Sequence, residues 1–202
     1  IESLINNRIS TLDLKLTIEK TSGFLFSTFY FDNIQITNLN KSVYSIKKTA
    51  ININLLSLLF GESTLDLVSL EGINGIIQKT KKNNRKIFNF SESLKVPFDI
   101  KSLFIDGKLN RSINGNEYGF NFFIGGSFTK KNGNNLSCDI LKINIDNKPN
   151  LSFDLKDLFI YEDSLNVSLS NFKGKAFNVP VSGEVLFDKT TSIMKGKLEL
   201  VE

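Results

Sequence analysis

The sequence predicts an all-β chain of mostly antiparallel, amphipathic strands with one or two short helices, and three observations carry that prediction. Apolar and polar residues alternate with period two through most of the chain, as in a sheet with one apolar and one wet face. Clusters of turn formers, such as Asn114-Gly-Asn-Glu117, Lys130-Lys-Asn-Gly-Asn-Asn135 and Asn147-Lys-Pro-Asn150, separate the alternating runs. Finally, one strand recurs: Phe98-Asp-Ile-Lys-Ser-Leu-Phe-Ile105 returns as Phe153-Asp-Leu-Lys-Asp-Leu-Phe-Ile160, with a weaker copy in Leu65-Asp-Leu-Val-Ser-Leu70. Each copy sets two apolar residues two apart (Phe98/Ile100, Phe153/Leu155, Leu65/Leu67) and then steps three to the next (Leu103, Leu158, Leu70). A step of three shifts side-chain parity as a β-bulge would. A strand repeated with its bulge points to one structural unit reused along a sheet, not to a catalytic loop.

Taken in order, Ser3–Arg8 suits the end of a short helix. Leu12, Leu14, Leu16 and Ile18 then alternate with polar residues, and Thr21-Ser-Gly23 makes a turn. Phe24–Thr37 is the next strand, with Phe29 and Phe31 on one parity and Ile34 and Ile36 on the other, so a bulge is expected at Asp32-Asn33. Val43–Leu55 runs into Leu55-Leu-Ser-Leu-Leu-Phe60, closed by Gly61, whose spacing suits a short helix with a glycine beyond its C-terminus. That helix is expected to be buried against the sheet end, with an apolar plug against a membrane as the minority reading. Leu65–Leu70 and Ile73–Gln78 follow as strands around Glu71-Gly72, then a basic turn at Lys79–Lys86, and the short, ambiguous runs Ile87–Phe90 and Leu94–Val96. After Pro97 comes a meander: Phe98–Asp106, Tyr118–Thr129, Leu136–Asp146, Leu151–Tyr161, Leu165–Asn171, Lys175–Val179, Val181–Asp188 and Ile193–Val201. Residues 1–202 are expected to form a single elongated β domain, with 81–97 as the place for any subdivision.

Composition narrows the chemistry. The chain has no His, which removes the commonest general base and metal ligand together and excludes Ser-His-Asp, Cys-His and His-bearing metal sites. Cys138 is the single cysteine, so no internal disulfide or Cys-based zinc site can form, and its apolar-parity position marks a small buried hydrophobe. The net charge of +4 is mild, and its densest source, Lys79–Lys86, suits a solvated turn better than a nucleic-acid or headgroup contact. No run approaches the roughly 18 apolar residues of a membrane helix. The chain begins at Ile1 without Met and ends inside an alternating run, which suggests a piece of a longer protein. Asp99, Asp106, Asp154, Asp157 and Asp163 could in principle supply paired carboxylates of the glycosidase type, but they recur with the strand repeat as wet-face residues. The chain is therefore expected not to be an enzyme, and no cofactor is called for.

An apolar sheet face must be covered by something. Periodicity alone favours a sandwich or barrel with a dry core, but does not separate that from a face covered by ligand. A resemblance bears on the choice. The alternating strand from Leu12, "FDNIQITNLN", "AININLLSLLFGES" and "LDLVSLEGINGIIQK" are similar in order to the amino-terminal region of the AsmA/TamB superfamily. Leu55, Leu56, Leu58, Leu59 and Gly61 match that family's Leu-rich turn, and Leu67, Leu70, Gly72 and Ile76 match its following strand. The resemblance covers the first 80 residues best; the later "GEVLFD" and "GKLEL" are generic, and the family's anchoring helix is missing.

The resemblance implies a long, twisted sheet curled into an open hydrophobic trough. It also implies non-catalytic transfer of phospholipid between the inner and outer membranes of a diderm bacterium. The protein would be periplasmic, anchored to the inner membrane by a segment outside this sequence. An outer-membrane barrel protein is the implied partner through other parts of the chain, and nucleic acid is not a partner. Acyl chains would then lie on the apolar parity, with Leu14, Leu16, Phe29, Ile51, Ile53, Leu67, Phe98, Ile100, Phe120, Phe122, Ile140, Phe153 and Leu155 as lining residues. The alternative is a structural or adhesive β-sandwich of a cell-surface protein with a dry core.

Overall fold

The computed structural model describes residues 14–24, 28–38, 43–77, 98–113, 116–130, 134–146, 148–162, 166–188, 190–191 and 193–200. The alternating runs form eleven strands: β1 (Leu14–Ser22), β2 (Thr28–Asn38), β3 (Val43–Ile53), β4 (Thr64–Ile77), β5 (Asp99–Ile113), β6 (Asn116–Thr129), β7 (Asn134–Ile145), β8 (Lys148–Glu162), β9 (Asn166–Ala176), β10 (Val179–Asp188) and β11 (Ile193–Leu200). One short helix, α1 (Leu55–Leu59), joins β3 to β4. The sequence expectations for Ser3–Arg8 and for residues 81–97 lie outside the described residues.

All eleven strands make one sheet in chain order. Neighbours are antiparallel except β4 and β5, which run parallel. β1 does not pair with β11, so the sheet is open, and the described strands form neither a barrel nor a two-sheet sandwich. Beyond marginal contact, each strand packs only against its hydrogen-bonded neighbours. Burial is correspondingly shallow. Only Leu158 and Cys138, each 1% exposed, are almost completely enclosed among the described residues. Two clusters hold most of the buried apolar side chains, one around Ile100, Leu103 and Phe128, the other around Cys138, Leu158 and Phe172.

The expected parity shifts are present, by two mechanisms. In β5 the pairing with β6 slips between Ile100 and Leu103. In β8 the backbone turns left-handed at Asp157 (φ 56°), between Leu155 and Leu158. In β2 Asn33 (φ 52°) does the same without a slip, since Asp32↔Lys48 and Ile34↔Ile46 share one register. A left-handed residue therefore brings Phe31 and Ile34 to the same face, where both are buried. The weaker third copy behaves differently. Its extra residue falls between Leu65 and Leu67, because Ile53 pairs with Leu65 and Asn52 with Leu67.

Strand boundaries also moved. β4 runs unbroken through Glu71-Gly72 because Gly72 (φ 66°) absorbs the irregularity inside the strand. β9 passes through Asn171 to Ala176, and the chain reverses at Phe177-Asn178, both with positive φ. The helix α1 corrects its expectation. Gly61 (φ 77°) follows it as the spacing required, but α1 buries no residue and Leu56, Leu58, Leu59 and Phe60 are exposed. Leu55 is half-buried, and the other apolar side chains of the turn lie outside the cover that the sheet provides.

Candidate functional site

Side chains of directly paired residues lie on one face of a sheet, so the register shows how the apolar residues join. One row crosses all eleven strands: Thr21, Phe31, Thr49, Leu70, Ile105, Ile124, Leu141, Leu155, Gly174, Val181, Leu200. Beside it runs Ile18, Ile34, Ile46, Ile73, Gly107, Phe122, Ile143, Phe153, Ala176. Beyond that lies Leu16, Ile36, Tyr44, Gly75, Leu109, Phe120, Ile145. On the other side of the first row, Phe29, Ile51, Val68 and Leu103 align, followed by Ile53, Leu65, Ile100, Phe128, Leu136 and Ile160. With strands about 4.8 Å apart, such a face is roughly 50 Å across.

Glycine fits where a neighbour leans over: a Cβ at Gly75 would collide with the ring of Tyr44. Thr49 interrupts the central row. It is 4% exposed, and its hydroxyl has no hydrogen-bond partner among the described residues, an arrangement that costs about 1–3 kcal/mol.

The predicted lining residues largely converge. Leu16, Phe29, Ile51, Ile53, Ile100, Phe120, Phe122, Phe153 and Leu155 share the apolar face, and Phe98 packs against the Ile100 cluster. Leu14 pairs with Asn38 at the sheet edge, where only its backbone is described. Leu67 and Ile140 fall on the opposite face. Leu67 pairs with Asn52 and Ser102, and Ile140 with Gly125 and Lys156. Both sit beside a register slip with another apolar residue next to them, Val68 and Leu141, and the slip gives the apolar face to that neighbour. Ile18, Ile34, Ile73, Leu109, Ile124 and Ile143 were not singled out, although counting parity from each bulge would have found them.

The other face carries locally neutralised charges beside the apolar side chains of Leu67, Phe104, Phe123 and Ile140. Lys101 pairs with Asp66 at 2.8 Å, Lys108 with Asp146, and Lys197 with Glu199 at 2.6 Å. Hydrogen bonds from Lys108 and then Asn121 hold the Asp146 carboxyl below its ordinary range, and Lys101 and Asn54 do the same for Asp66. The carboxylates considered for acid-base work make these contacts. Asp99 accepts the Lys130 backbone N–H at 2.9 Å, and Asp106 that of Gly72 at 3.2 Å. Asp154 lies 3.9 Å from Lys142, Asp157 occupies the left-handed bend, and Asp163 lies outside the described residues. Among the described residues no three His, Cys, Asp or Glu side chains gather as a metal site would require. Burial, reinforced by Asp139, pushes the Cys138 thiol up, away from the reactive thiolate.

No protein-family model matches the chain, and no curated protein matches it in sequence. No described helix is long and apolar enough to cross a membrane.

Proposed function

We propose that this chain is a non-catalytic lipid-carrying segment that holds phospholipid acyl chains against the apolar face of its sheet. One observation carries the reading: an apolar row runs in register from the first strand to the last, flanked by rows over nine and seven strands, and no second layer of described residues covers them. Apolar surface gains roughly 25 cal/mol per Å² on leaving water, so a face this broad favours an apolar occupant. Acyl chains suit it because the rows are continuous, many strands long and open at both ends, which a compact ligand would not need. Headgroups would remain at the strand ends in water. The AsmA/TamB resemblance supports the same reading, and with it a bridge-like role in the periplasm, inner-membrane anchoring outside this sequence and an outer-membrane barrel partner.

The test uses Phe122 and its neighbour Asn121. Phe122 lies within an apolar row, whereas Asn121 hydrogen-bonds Asp146 on the polar face. Phospholipid is expected to co-purify with the wild type and to be lost from Phe122→Asp, with the strand content unchanged. A photo-crosslinker at Phe120 should give lipid adducts, and one at Asn121 none. Lipid-free wild-type protein, or equal adducts at both positions, sinks the proposal.

A further inference from the structure

We infer that the β3–β4 tip is a membrane-docking knob that inserts into the surface of a lipid bilayer. This goes beyond the carrying of lipid, because it concerns the end of the sheet rather than its apolar face.

The tip is apolar and bare: Leu56 is 70% exposed, Leu59 81% and Phe60 83%. It is also built, not frayed. Asn54 caps α1 by accepting the Ser57 N–H at 2.9 Å, and its own amide donates to Asp66 at 2.9 Å. The far side is closed by Glu62 N–H to Ser57 C=O at 2.8 Å and Gly61 N–H to Leu58 C=O at 3.1 Å. With Leu58 N–H to Asn54 C=O and Phe60 N–H to Leu56 C=O, these bonds engage much of the turn's backbone locally, which lowers the cost of entering an apolar medium. Because β1–β2 and β3–β4 are both antiparallel hairpins, Phe24, 67% exposed, lies at the same end of the sheet. Two separate connections thus present large apolar side chains in one direction.

The shape and charge select the occupant. The apolar side chains of the tip are bare and not set in a groove, so they suit a surface that yields to them, and α1 carries no charged residue in its first or last turn. The only polar side chain from Leu55 to Phe60 is Ser57. Docking should therefore be driven by apolar insertion, bind neutral as well as anionic lipid and persist in high salt, unlike a basic patch.

The chain contains no Trp, so Phe60→Trp provides a lone fluorescent reporter. Its emission should shift to the blue on addition of phosphatidylcholine vesicles, at low and high salt alike. The wild type should float with those vesicles, and Leu59→Asp/Phe60→Asp should weaken flotation at least tenfold with an unchanged melting profile. Phe104→Asp, at an exposed apolar position on the opposite face of β5 from the apolar rows, should leave it intact. Absence of vesicle binding by the wild type, or equal binding by the double variant, overturns the inference. So does a blue shift that grows with protein concentration in lipid-free buffer, which would assign the tip to a second copy. Lipid carried by vesicle-free protein is measured separately, so failure of docking and failure of the lipid-carrying reading are distinguishable.

Discussion

Asp188 ends β10 by accepting the Thr190 hydroxyl at 2.6 Å and the backbone N–H groups of Thr190 and Thr191 at 2.8 and 3.1 Å. These bonds, the hydroxyl first, lower its pKa from 3.8 to about 2. A carboxyl whose folded pKa lies below its unfolded one stabilises the protein fully above the unfolded value. That contribution is lost as pH falls through the folded value. Urea midpoints should therefore decline between about pH 4 and pH 2, and the decline should be shallower in Asp188→Asn; an identical acid profile for the variant counts against this assignment. The turn was legible in Asp188-Lys-Thr-Thr191 as a run of turn formers, but which side chain caps it was not, since Asp and Thr each bond backbone locally. Leu67 and Ile140 show the opposite limit. Next to another apolar residue, alternation fits either face, and only the partner strand's register decides.

At the level of elements, the sheet turns its apolar parity over at defined points. Asn33 in β2 and Gly72 in β4, both left-handed, lie on either side of Lys47 in β3, as the flanking pairs Ile46↔Ile34 and Ile46↔Ile73 require. A β-branched residue is strained in that conformation, so Asn33→Val should cost about 1–3 kcal/mol, and Asn33→Gly much less. Chemical denaturation of the two variants checks the order, and equal stabilities would mean that Asn33 is not held left-handed. Sequence found this element because Phe29/Phe31 and Ile34/Ile36 disagree in parity. It divided β4 at Glu71-Gly72 because glycine marks both a turn and an irregular strand. It also placed α1 against the sheet, since an apolar run looks the same whether buried or bare; exposure depends on how far the connection projects, which no local pattern encodes.

Across the whole molecule, strands touch only the strands beside them in the chain, including the parallel pair β4 and β5. Amide exchange should therefore be graded, slowest in β5–β8 and faster towards β1 and β11, because an edge strand can detach without opening the rest. Uniform protection over all eleven strands would show a cooperativity that this contact pattern does not explain. The same pattern makes the chain quasi-one-dimensional, like stacked repeats whose stability is a sum of local terms. The width of its apolar face then works as a ruler: each hairpin gained or lost changes it by roughly 10 Å and disturbs no contact except those at the junction. A sheet of this kind can therefore widen or narrow at its edges while the packing of its remaining strands stays as it was.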